Sequence, residues 1–138
     1  MSEIESFEVA VTEDELAGLQ QRLRATRWPD AETPDDWSQG VPLAYAQEFC
    51  RYWAEEYDWT ARQARLNNFK HFKTTLDGLP IHFIHAVSPE ADARPIILTH
   101  GWPGSVVEFL KVIEPLRNPV AHGGRAQDAF HVVCPSLP

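Results

Sequence analysis

The chain has 138 residues, 43% hydrophobic and 23% charged, which suits one soluble globular unit and is too short for two full domains. Lys plus Arg number 12 against 20 for Asp plus Glu, a formal net charge of -8, and without a basic cluster that balance argues against a nucleic-acid or anionic-membrane partner. No apolar run approaches the roughly 20 residues of a membrane span; the start, Met1-Ser2-Glu3-Ile4-Glu5, does not read as a secretory signal; and two distant cysteines, Cys50 and Cys134, point to a reducing compartment, so a soluble cytoplasmic protein is expected.

The charge is lopsided. Residues 1–68 carry 14 acidic and 6 basic side chains, whereas residues 69–138 carry 6 of each, so the whole excess lies in the first part. That part also holds four of the five tryptophans. It reads as a helical segment. Thr12-Glu13-Asp14-Glu15 is a capping box, with Val11 and Leu16 at the staple positions and Leu16, Leu19 and Leu23 continuing one face. Trp28-Pro29 ends that helix, because the residue before a proline avoids the helical region. Asp30 to Gly40 is a loop. Pro42 suits the first turn of a second helix with Tyr45, Phe49 and Trp53 along one stripe, and Trp59 to Leu66 forms a short third. The Trp and Tyr side chains of 28–59 are expected to be core and packing residues.

The period changes over 69–138. Phe69 to Leu76 and Leu79 to Ala86 flank Asp77-Gly78, the pattern of a β-hairpin. A polar loop, Ser88 to Arg94, leads to Pro95-Ile96-Ile97-Leu98-Thr99, apolar enough for a strand buried on both faces. The turn His100-Gly101-Trp102-Pro103-Gly104 follows. Ser105-Val106-Val107-Glu108 is a second capping box, opening a helix through Phe109, Leu110, Val112 and Ile113. A Gly/Asn-containing loop then precedes another buried-type strand, Phe130 to Cys134. A hairpin followed by strand, turn, helix and a parallel strand is the opening of an α/β sheet.

The chemistry concentrates at residues 100–104, just past the carboxyl end of a buried strand, the edge at which open α/β sheets bind ligands. Backbone N–H groups in such a turn can stabilise a developing oxyanion. His100 is expected to anchor the turn and Ser105 to cap a helix, not to attack a substrate. His82 and His85 fall on opposite faces of one strand, and His71, His122 and His131 have no partner at ligand spacing, so no metal site and no cofactor are expected.

These blocks carry a family resemblance. Arg27-Trp28-Pro29-Asp30, Tyr57-Asp58-Trp59, Leu66-Asn67, Asp77-Gly78-Leu79 with Ile81-His82-Phe83-Ile84-His85, His100-Gly101-Trp102-Pro103-Gly104-Ser105 and Cys134-Pro135-Ser136-Leu137-Pro138 resemble the N-terminal part of microsomal-type epoxide hydrolases, of the α/β-hydrolase fold. One departure stands out: Thr60 and Gln63 follow Asp58-Trp59 where the family usually has Arg and Glu, so a local ion pair is expected to be missing. The resemblance implies a small-molecule epoxide and water as substrates. An Asp attacks an epoxide carbon while two Tyr protonate the departing oxygen; a His held by an acidic partner then activates water to hydrolyse the ester. It also implies that the oxyanion of the second step is held partly by the backbone N–H of Trp102, with His100, Gly101, Pro103 and Gly104 supporting the turn and a cis bond before Pro103.

The expected fold is therefore α/β: a helical segment over 1–68, then the first strands of an incomplete α/β-hydrolase sheet over 69–138, ending before the nucleophile elbow. No Gly-x-Asp-x-Gly or Gly-x-Ser-x-Gly occurs, and nucleophile, acid, lid tyrosines and catalytic His are not found. The chain is read as an enzyme portion that is inactive alone. The alternatives are a short non-catalytic binding module derived from the same fold, or part of another α/β-hydrolase such as an esterase or dehalogenase.

Overall fold

The computed structural model describes residues 3–138. Contacts divide the chain into two units: the residues up to Val9 together with Ala61–Pro138, and Ala10–Thr60. The compositional border at 68/69 does not coincide with these borders. The first residues pair with the sheet, and the Asn67 side-chain amide donates to the Val9 carbonyl at 2.8 Å while its oxygen accepts from the Val9 N–H at 3.1 Å.

The sheet unit holds five strands: β1 (Ile4–Phe7), β2 (His71–Leu76), β3 (Leu79–Ala86), β4 (Arg94–Ile97) and β5 (Phe130–Pro135), in the order β1-β2-β3-β5-β4. The first four in that order run antiparallel, and β4 lies parallel to β5 with Ile96 beside Val132, as expected from the two apolar runs. Asp77 (φ 50°) and Gly78 (φ 82°) close the β2–β3 hairpin, the paired positive φ that a tight two-residue turn requires. Strand β1 was not legible in the sequence. It carries two acidic or polar residues between Ile4 and Phe7 and becomes a strand by lying along β2, with Phe7 opposite His71.

The register puts Ile84, Ala86, Val132 and Cys134 on one face. With Val106 and Ile113 they form the core, and Phe69, Ile96, Leu98, Phe109, Leu110, Leu116 and Phe130 pack around it. Complete burial of Ile84, Ile113 and Val132 contributes about 1.5–3 kcal/mol each.

Between β4 and β5 the expected single helix is broken. A 3₁₀ turn spans Val106–Phe109 and a short helix, α4, spans Ile113–Arg117; two further 3₁₀ turns follow at Pro119–His122 and Ala126–Asp128. Pro115 is the physical reason: it has no N–H to continue a helix from the Lys111 carbonyl and is tolerated only in a first turn. The Ser105 hydroxyl oxygen accepts from the Val107 N–H at 3.3 Å, but the reciprocal Glu108 bond of a capping box is not formed.

In the helical unit α1 spans Glu13–Arg24 and α2 Leu43–Glu55; α3, Trp59–Leu66, starts at the end of this unit. Both halves of the Thr12/Glu15 capping box are present. The expected buried stripe on α2 is corrected. Tyr45, Phe49 and Trp53 are exposed, as are Trp28, Trp37 and Tyr52, while Leu43, Ala46, Cys50 and Ala54 are the more enclosed side chains. Small residues four apart allow a neighbouring helix to approach closely, and the bulky aromatics are left to pair with one another: Trp37 with Tyr45 at 5.1 Å and Phe49 with Trp53 at 6.1 Å. No helix among the described residues is long and apolar enough to cross a membrane.

Candidate functional site

The turn at 100–104 forms because β4 stops pairing. The Leu98 N–H still donates to the Val133 carbonyl at 2.9 Å, after which the chain leaves the sheet at the carboxyl end of both parallel strands. The Gly104 N–H donates to the Gly101 carbonyl at 2.7 Å and closes the turn, and His100 Nδ1 lies 3.4 Å from that same oxygen. The Trp102–Pro103 peptide is cis, as the resemblance implies. The Trp102 N–H has no hydrogen-bond partner among the described residues, and the residue is 93% exposed.

Gly104 is held to glycine by packing. A Cβ there would meet the Glu108 carboxylate, the movable end of a flexible side chain, and would lie 2.9 Å from the Gly101 carbonyl oxygen, a backbone atom that can yield only if the turn shifts. Gly101 has open space where its Cβ would be. The five residues singled out in the sequence thus form one turn, with the Trp102 N–H free among the described residues.

The Ser105 hydroxyl caps the following turn. Asp77 lies in the hairpin turn, Asp92 in a loop and Asp128 in a 3₁₀ turn paired with Arg125 at 3.0 Å. Among the described residues no three His, Cys, Asp or Glu side chains group to hold a metal ion. Burial pushes the Cys134 thiol up to about 11, so it is an inert core residue at neutral pH.

Two histidines pair with one another through a hydrogen bond. His71 Nδ1 lies 2.9 Å from His82 Nε2, because the hairpin register sets the two diagonally on one face. His71 Nε2 reaches the Leu66 carbonyl at 2.9 Å, and His82 Nδ1 reaches the Ser136 hydroxyl at 2.8 Å. The signal was available: an Asp-Gly hairpin fixes which residues oppose each other. His131 Nδ1 accepts from the Ser88 N–H at 3.0 Å, a purely structural bond.

The family model described as "Epoxide hydrolase N terminus" matches residues 4–109. A Stigmatella aurantiaca (strain DW4/3-1) protein provisionally named an epoxide hydrolase is 58% identical over 135 residues, covering 98% of this chain and 31% of that protein. Epoxide hydrolase 1 of Oryctolagus cuniculus is 37% identical, with coverage of 98% and 30%. Among solved structures, the Aspergillus niger epoxide hydrolase superposes with a TM-score of 0.84 at 33% identity, covering 99% of this chain and 35% of that one. The chain spans about a third of the length of the curated relatives it matches.

Proposed function

The chain belongs to the epoxide hydrolase N-terminus family, and on that premise we propose that it supplies the oxyanion turn of an enzyme that adds water to an epoxide to give a vicinal diol. The carrying observation is the unpartnered Trp102 amide at the carboxyl edge of the parallel strand pair. In this reading an Asp from outside these residues attacks an epoxide carbon, the ring oxygen leaves with a proton from tyrosine, and an alkyl-enzyme ester results. Water activated by a His then adds to the ester carbonyl. The oxyanion so formed accepts from the Trp102 N–H and from a second backbone amide beside the nucleophile.

The 138 residues by themselves do not open an epoxide. Ring opening needs a nucleophile and proton donors placed together, and no Asp here lies on a strand-to-helix elbow. A chimera tests both statements. Put in place of the matched residues of the Stigmatella aurantiaca protein, these residues should support conversion of a styrene-type epoxide to the diol, while the chain alone should give none. Turnover by the chain alone, or an inactive chimera beside an active parent, overturns the proposal.

A further inference from the structure

We propose that His71, His82 and Ser136 form a one-proton switch, in which a single proton taken from solvent by the histidine pair reverses the hydrogen bond at Ser136, on the sheet edge that carries the 100–104 turn. The direction of every bond follows from chemistry. The Leu66 carbonyl can only accept, so His71 Nε2 carries a hydrogen. In a neutral ring His71 Nδ1 is then an acceptor, and the hydrogen between the rings belongs to His82 Nε2. His82 Nδ1 is an acceptor in turn, and the Ser136 hydroxyl donates to it. Neutral, the row runs one way, from Ser136 to Leu66.

One added proton has the same result wherever it enters. On His82 Nδ1 it donates directly to the Ser136 oxygen. On His71 Nδ1 it donates to His82 Nε2, whose own hydrogen must then sit on Nδ1 and donate to Ser136. In both cases Ser136 turns from donor to acceptor and its hydroxyl hydrogen is released to another acceptor. A second proton would set N–H against N–H across 2.9 Å, so the pair takes one. The backbone stays in place throughout, because the Ser136 N–H donates to the His82 carbonyl at 2.8 Å.

The setting supports a switch of this kind. His71 is 4% exposed, and its ring lies within 18° of the His82 ring plane with centroids 5.1 Å apart, the edge-to-edge placement a nitrogen-to-nitrogen hydrogen bond needs. The Phe7 ring of β1 meets His82 edge-on at 5.3 Å. The charged groups on the same row and face are Lys73 of β2 and Glu5 of β1; Lys73 Nζ lies 3.8 Å over the Phe7 ring. On β5 the titratable neighbour is the buried Cys134 thiol, and the end of α3 adds Arg65 beside Leu66. Burial first, then His71 and Lys73, hold His82 below the ordinary histidine value of 6.5, so the switch turns on the acid side of that value. Ser136 directly follows β5, beyond the register of Ile97 with Val133, at the end where β4 also leaves the sheet. The proposal stands apart from the epoxide reading, since its readout is titration and not turnover.

The test is nitrogen-15 NMR of the histidine rings in this chain, titrated from pH 7.5 to 4.5. Both His71 and His82 should be Nε2–H tautomers at the upper end. Ser136→Ala removes an acceptor that serves the charged form better than the neutral form, so the His82 midpoint should fall by about half a pH unit or more. Ser136→Thr keeps the hydroxyl and should keep the midpoint. His71→Asn removes the competing site for that one proton, so His82 should then protonate to completion in a single step, with His85 and His122 unmoved in all three variants. An Nδ1–H tautomer in either ring at pH 7.5, or a His82 midpoint indifferent to Ser136→Ala, overturns the proposal.

Discussion

The Trp102 amide is a single atom pair whose contribution can be isolated. Replacing the residue by its α-hydroxy acid analogue turns the N–H into an ester oxygen and keeps the indole. In the active chimera this should slow hydrolysis of the ester intermediate by about 100- to 1000-fold, the cost of losing one oxyanion donor. Trp102→Ala keeps the N–H and should leave that step far less affected; single-turnover kinetics separates the two. Cys134 makes a second prediction at this scale. Its folded pKa, about 11, exceeds the reference value of 9.0, so the folded state holds the proton more tightly than the unfolded state. The stability this contributes is complete below pH 9 and is lost as pH rises toward 11. The urea midpoint should therefore decline over that window, and Cys134→Ala should flatten the decline.

Elements owe their ends to a few side chains. Thr12 accepts from the Glu15 N–H at 3.2 Å, and the Glu15 carboxylate accepts from the Thr12 N–H at 2.8 Å, which satisfies two donors that α1 leaves open. Thr12→Ala should cost about 1 kcal/mol, read from urea denaturation followed by circular dichroism. At the hairpin, Gly78 has φ 82° with open space around it, so an added methyl meets no neighbour and the penalty is conformational. Gly78→Ala should cost about 1–2 kcal/mol for placing a side chain in the left-handed region. A loss much smaller than this would mean that the turn relaxes to another conformation. Gly104 is the opposite case. Its neighbours are Glu108 Oε1 and the Gly101 carbonyl, so Gly104→Ala must displace part of the turn itself.

At the scale of the whole molecule, one core ties the sheet to the segment that follows the turn. Ile113 is fully buried against a group that includes Ile84, Val132 and Cys134. Ile113→Ala should destabilise the sheet unit by about 2–5 kcal/mol, measured by denaturant unfolding, because the cavity lies under β5 and cannot collapse without moving it. On the opposite face Ile97 is 66% exposed, and β4 is the last strand in the order, with an unpaired edge. The aromatic stripe of α2 is likewise uncovered by the described residues. The five-strand arrangement matches the N-terminal portion of the longer epoxide hydrolase on which it superposes.

Local chemistry was enough to determine the hairpin at Asp77-Gly78, the capping box at Thr12 and the turn at 100–104, because each is decided by neighbours within a few residues; the parallel pairing of the two apolar strands followed from the general rule for strands joined by a crossover. Family membership was legible for a similar reason, since its motifs are short and contiguous. Tertiary structure decided the rest. Strand β1 exists only through its pairing with β2, more than 60 residues away in the chain. The exposed side of α2 depends on which stripe α1 approaches, and helical periodicity cannot choose between an aromatic stripe and a small-residue one. The row from Leu66 to Ser136 joins four residues from α3, β2, β3 and the end of β5. The hairpin brings His71 to His82, but the bond from His82 to Ser136, 54 residues along the chain, arises only once the sheet has set its register, and that register is a property of the fold.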